Sequence, residues 1–125
     1  MKFLLDTNVL IWFFEGSSRL EQVKELFSYS DSEVYISSVS FWEIAIKVKT
    51  GKLPISISLL KSLVNNYNFH ELPMTSEHIQ AYLDLPNLHR DPFDHMLLAQ
   101  AISSPMRFIT GDSLLADYSS LVMVV

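Results

Sequence analysis

No cysteine occurs among the 125 residues, which excludes a disulfide framework and thiolate metal sites and is compatible with a reducing compartment. Glycine is nearly as scarce: three in the whole chain leave no glycine-rich loop to cradle a phosphate. Long apolar runs are also missing. Asp6 interrupts the N-terminal apolar stretch too early for a signal peptide, and Val9 to Phe14 is far too short to cross a bilayer. A soluble cytoplasmic protein with no membrane partner is expected. Positive charge is in deficit as well, with nine Lys and Arg against fourteen Asp and Glu, a net charge of −5. This balance argues against nucleic-acid binding through a general basic surface. The argument loses weight if several acids bind cations, because each divalent ion cancels two charges where a phosphate would sit.

Apolar side chains, by contrast, are plentiful. They make up 49% of the chain, and its mean hydropathy is +0.22. A small monomer has much surface to cover with polar groups, so the excess points to a dense core, a partner or a second copy. The length suits one domain, and with no repeat, linker or low-complexity tract, residues 1–125 read as a single unit.

Strand and helix patterns alternate along that unit. Phe3 to Leu5 reads as a short buried strand, followed by a helix beginning at Val9 to Phe14. Arg19 to Phe27 has helical spacing, Val34 to Ser37 is a β-branched and aromatic strand, and Val39 to Lys49 is a helix closed by Gly51. Ser56 to Asn66 is helical, Phe69 to Leu72 a third strand, and Ser76 to Leu85 a helix with Ile79, Tyr82 and Leu83 on one side. Pro92 to Ile102 is a helix apolar on most sides, and Arg107 to Thr110 and Leu121 to Val125 are the last strands. The expected fold is α/β: a three-layer sandwich around a mainly parallel sheet of about five strands.

Open parallel sheets bind ligands outside the carboxyl ends of their strands. Asp6 follows the first strand directly and Asp112 follows Arg107 to Thr110, so both carboxylates are expected at one sheet edge. Asp94 falls in the first turn of a helix that Asp91 caps and Pro92 opens. The helix dipole alone favours an acid there. Asp91 already supplies the cap, however, and Met96 to Ala99 mark the helix as buried, where a carboxylate is costly unless paired or coordinated. Glu43 shares an arc of about 60° with Ser40 and Lys47 on an otherwise apolar helix. That arc is either a solvated stripe with an ordinary i,i+4 pair or the wall of a polar cleft, and spacing leaves both open. His70, His78, His89 and His95 lack metal-ligand spacing, so each is read as a surface or core hydrogen-bonding residue. Lys47, Lys49 and Lys52 cluster near a helix end as candidate phosphate contacts.

Together these stretches resemble the PIN-domain family, and within it the VapC-like toxins of bacterial toxin–antitoxin pairs. Phe3 to Asn8 is similar to the family's opening strand and first acid, and Ile36 to Ile44 to the segment carrying its second. His89 to Ala101 resembles the third motif of one toxin subgroup, with Asp94 the better match to the catalytic acid and Asp91 a cap or supporting residue. Ile109 to Asp112 matches the closing strand and its acid. The resemblance covers essentially the whole chain.

It implies a Mg²⁺-dependent endoribonuclease, with Mn²⁺ a possible substitute, whose metal ligands and catalytic residues are Asp6, Glu43, Asp94 and Asp112. Asn8, Thr110 and Asp91 would orient ligands or water. It further implies an RNA substrate, a cognate antitoxin protein and a homodimer. Electrostatics agrees with a metal, since two carboxylates about 4 Å apart repel by about 4 kcal/mol at an effective dielectric of about 20. A PIN nuclease of RNA maturation and a non-catalytic, metal-stabilised interaction module are the alternatives. An aspartyl-phosphate phosphatase is disfavoured, because Asn8 stands where its second Asp is needed.

Overall fold

The structure, a computed structural model, describes residues 1–29, 31–87 and 91–125. His89 and Arg90, which belong to the third motif, lie outside them. The strands are β1 (Lys2–Leu5), β2 (Glu33–Ser37), β3 (His70–Leu72), β4 (Arg107–Thr110) and β5 (Val122–Val124). The helices are α1 (Thr7–Glu15), α2 (Glu21–Leu26), α3 (Ser38–Lys49), α4 (Ile57–Asn66), α5 (Ser76–Asp84) and α6 (Pro92–Ser103).

The strands form one five-stranded sheet in the order β3-β2-β1-β4-β5, and each of these pairings is parallel. Strand alternation sorts the core into two layers. Phe3, Leu5, Val34, Ile36 and Ile109 pack on one side with Val9, Leu10 and Phe13 of α1, Val23 of α2 and Leu60 and Val64 of α4. Leu4 and Phe108 pack on the other with Leu97, Leu98 and Ala101 of α6. Helix α3 reaches both layers, giving Ile44 to the first and Val39 to the second. The expected three-layer sandwich is present.

Local chemistry explains the element ends. Gly16 adopts φ +67° after α1, so its N–H reaches back to Phe13 and Trp12 carbonyls. Helix α3 closes with Gly51 at φ +75°, Gly51 N–H donating to Val48 O and Lys52 N–H to Lys47 O, a Schellman closure.

Two expectations shift. The helical stretch from Arg19 is split into a 3₁₀ turn (Ser18–Leu20) and α2. The apolar side of α5 does not enter the core: Ile79 and Leu83 stay exposed, while His78 is the buried residue. Its Nδ1 accepts from the Thr75 N–H (3.0 Å) and lies 3.3 Å from Gln100 Nε2, leaving Nε2–H to donate to Ser104 Oγ. Gln100 Oε1 in turn accepts from Ser37 Oγ. Hydrogen bonds thus seat a polar residue where periodicity favoured Ile79.

Candidate active site

The strand order reverses at β1: the chain moves to β2 on one side and reaches β4 on the other. Crossovers leaving in opposite directions open a crevice at the carboxyl ends of β1 and β4. Asp6 and Thr110 occupy that spot. The Asp6 N–H donates to Ile109 O at 2.9 Å, and Thr110 Oγ1 donates to Asp6 Oδ2 at 2.6 Å. The other oxygen, Asp6 Oδ1, accepts from the Thr7 N–H and starts α1. Thr110 Oγ1 also accepts from the Asp112 N–H at 3.0 Å, so one hydroxyl ties the two strand-end acids together.

Beside this point lies a cleft of about 520 Å³ whose walls include Glu43 and Lys47 of α3, Asp91, Phe93 and Asp94 at the start of α6, and Asp112. Asp6 is buried next to the lining and not part of it. Its charge nevertheless reaches the cleft. Burial first, then the charges of Asp6, Asp91 and Glu43, push the Asp94 carboxyl up to about 8. Burial likewise raises Asp6 to about 6, partly offset by the Thr110 and Thr7 hydrogen bonds and reinforced by Glu43 and Asp91. Asp112 is not among the charges that raise either group. Glu43 Oε2 pairs with Lys47 Nζ at 3.2 Å, while buried Glu43 Oε1 has no hydrogen-bond partner among the described residues.

The arrangement has a shared device. Asp6, Asp91 and Asp112 each use Oδ1 to cap a helical turn: Asp91 accepts from the Phe93 and Asp94 N–H groups, and Asp112 from the Leu114 N–H. The 3₁₀ turn Ser113–Tyr118 that Asp112 starts has no signal in a 3.6-residue period.

The PIN domain family profile matches residues 3–121. This chain belongs to the PIN domain family. PIN domains are generally nucleases that use divalent metals, which places the chain among phosphodiester hydrolases. No curated protein matches the sequence. Among solved structures, the fold is similar to VapBC2 from Rickettsia felis bound to a promoter DNA fragment, at TM-score 0.75 and 14% identity, covering 100% of this chain and 98% of that one. It is also similar to a toxin–antitoxin complex from Klebsiella pneumoniae, at TM-score 0.70 and 19% identity over 97% and 95% of the two chains. A third likeness, to FitAB bound to a DNA fragment, has TM-score 0.66 and 21% identity over 98% and 94%.

As placed, no three His, Cys, Asp or Glu side chains among the described residues of this PIN domain are gathered tightly enough to coordinate one metal ion. The donor chemistry still fits a hard divalent cation. All donors are carboxylate oxygens, and the unpartnered, buried Glu43 Oε1 is an acceptor that a cation would satisfy.

Of the residues singled out by sequence, Glu43, Asp91, Asp94 and Asp112 share the cleft, and Asp6 and Thr110 adjoin it. Asn8 is exposed on α1 and does not line the cleft. Sequence reasoning missed the buried Thr7–Ser40 hydroxyl pair at 2.9 Å, which fastens the start of α1 to α3 one turn before Glu43. Ser40 on the same arc as Glu43 was the available signal.

A second unforeseen contact lies behind Asp112. The Trp12 ring packs so closely on Gly111 that a Cβ there would sit 2.7 Å from Trp12 Cη2. Arg19 covers the ring, its guanidinium carbon 3.9 Å from the centroid.

Proposed function

We propose that this PIN domain is a Mg²⁺-dependent endoribonuclease acting as the toxin of a toxin–antitoxin pair in the cytoplasm. The observation that carries the reading is that Glu43, Asp94 and Asp112, from three separate segments, line one cleft, and that buried Asp6 at the end of β1 lies close enough to raise Asp94. Asp6, Asp94, Asp112 and Glu43 would hold the ion, which when bound activates water for in-line attack and neutralises phosphate charge, with Mn²⁺ a chemical equivalent.

The chain's own residues set the conditions for that chemistry. Thr110 and the Thr7 N–H orient Asp6. Burial and mutual repulsion leave Asp94 holding a proton near neutral pH, which it would give up as a cation enters. Asp91 fixes the first turn of α6 and with it the position of Asp94.

The toxin role and the antitoxin partner rest on likeness to solved toxin–antitoxin complexes and on the motifs around Asp94. A homodimer is supported by exposed Trp42, Met74 and Ile79, which line one apolar groove, and by exposed Leu83 one turn after Ile79 on α5. Leu83→Glu is expected to shift a dimer to monomer in analytical ultracentrifugation, with no change in far-ultraviolet circular dichroism.

The deciding experiment is incubation of the purified chain with RNA, with and without Mg²⁺, and sequencing of the cleaved ends. Wild type is expected to cut only with metal and Asp6→Ala not at all. One observation favours a different reading, an interaction module: three of the acids already serve as helix caps. Under that reading no RNA cleavage occurs with either metal.

A further inference from the structure

The cleft is lined by four acids, Glu43, Asp91, Asp94 and Asp112, and among its described lining residues Lys47 is the one basic side chain. Lys49 and Lys52, close in sequence, are exposed and do not line it. The two ends of the Lys47–Glu43 pair differ in position: the carboxylate side chain is 10% exposed and the lysine 38%. The lysine is therefore the more exposed partner of the pair, on the side a ligand approaches from. An ammonium carries three donors, and Glu43 Oε2 engages one of them. Among the described lining residues, a phosphate entering this cleft meets a wall of carboxylates and one positive charge, that of Lys47.

We infer that Lys47 is the phosphate-binding side chain of the cleft, its ammonium donating to a non-bridging oxygen of an RNA backbone phosphate that lies across the acids. The inference rests on the nuclease reading for its choice of ligand. Lys47 is then a binding residue that keeps its ionic contact with Glu43 on one side and takes the phosphate on the other. The bland account, an i,i+4 pair that merely neutralises a buried glutamate, predicts no effect on RNA contact.

Salt dependence separates the two. A fluorescein-labelled single-stranded RNA of mixed sequence is titrated in Mg²⁺ at several KCl concentrations by anisotropy, in an Asp6→Asn background that suppresses turnover. Asp94→Asn serves as a second background in case Asp6→Asn does not fold. Loss of one phosphate contact lowers the slope of log K against log salt by about 0.7 for a single strand. Lys47→Met is expected to show that drop, and Lys47→Arg to retain the parent slope. In the otherwise wild-type chain, Lys47→Met should raise KM roughly tenfold with a smaller change in kcat, as expected for a lost charge-assisted hydrogen bond.

An unchanged slope and KM for Lys47→Met, with only a lower melting midpoint, overturns the inference and leaves Lys47 as a partner for Glu43. If wild type fails to cleave RNA yet Lys47→Met loses the slope increment, the nuclease reading fails and the phosphate site stands. If wild type cleaves and the slope is unchanged, the phosphate site fails alone.

Discussion

At the scale of single residues, the two neighbouring acids Asp91 and Asp94 divide the labour. Asp91 spends one oxygen on the Phe93 and Asp94 N–H groups, whereas Asp94 faces the charges of Asp6, Asp91 and Glu43. Asp91→Ala should therefore cost about 1 kcal/mol in chemical denaturation, the usual value of an N-cap. Asp94→Asn should leave stability near neutral pH equal or higher, because it removes the cost of burying a carboxyl that must take up a proton on folding, and should abolish RNA cleavage. Finding activity intact in Asp94→Asn but lost in Asp91→Asn would make Asp91, not Asp94, the acid that cleavage requires. Thr110 offers a cleaner test of orientation. Thr110→Val strips Asp6 Oδ2 of its partner and should cost about 1–3 kcal/mol, the range for a buried acceptor left unsatisfied. Mg²⁺ affinity read by calorimetry should fall with it, and Thr110→Ser should restore both.

At the scale of elements, the site depends on how α1 is pressed against the end of β4. The Trp12 indole fills the space a side chain at position 111 would need. Gly111→Ala must displace either the indole or the turn that carries Asp112, and overpacking of this kind costs about 1–3 kcal/mol. Pairing it with Trp12→Leu should recover much of that loss, a coupling that a double-mutant cycle in urea measures. Additive losses would show that the two positions do not press on each other. On the far side of the sheet, the Ser37–Gln100–His78–Ser104 chain ties β2, α5 and α6 together and leaves His78 neutral. Burial holds the His78 pKa below its ordinary value.

For the whole molecule, these shifts combine into a pH profile with a definite sign. Asp6 and Asp94 bind their protons more tightly folded than unfolded, so their contribution is complete below the ordinary value of 3.8 and is lost as pH rises toward about 6 and about 8. His78, shifted the other way, contributes above its ordinary value of 6.5 and loses that contribution as pH falls below it. Metal-free protein should therefore lose stability between about pH 4 and about pH 8 through the carboxylates, with His78 opposing on the acid side of neutral. Mg²⁺ should flatten the alkaline loss and raise the thermal midpoint of wild type more than that of Asp6→Asn. An equal shift in both proteins, read by scanning calorimetry, would place the ion elsewhere.

Sequence alone determined the alternating elements, the parallel α/β class and the place of Asp6, Asp94 and Asp112 at strand or helix ends. It could do so because helix and strand periods are local, and because Asp6 stands immediately beyond, and Asp112 two residues beyond, a short run rich in apolar residues. Family resemblance, not periodicity, chose between the two readings of Glu43. Tertiary structure decided the rest. Only the strand order put Asp6 beside Thr110, residues 104 positions apart, and only packing showed Lys47 on the cleft wall with Lys49 and Lys52 away from it. The exposure of Ile79 and Leu83, against the burial of His78, was likewise invisible locally. Which face of a helix is buried depends on the partners that can satisfy its polar groups, and those partners are set by contacts distant in sequence.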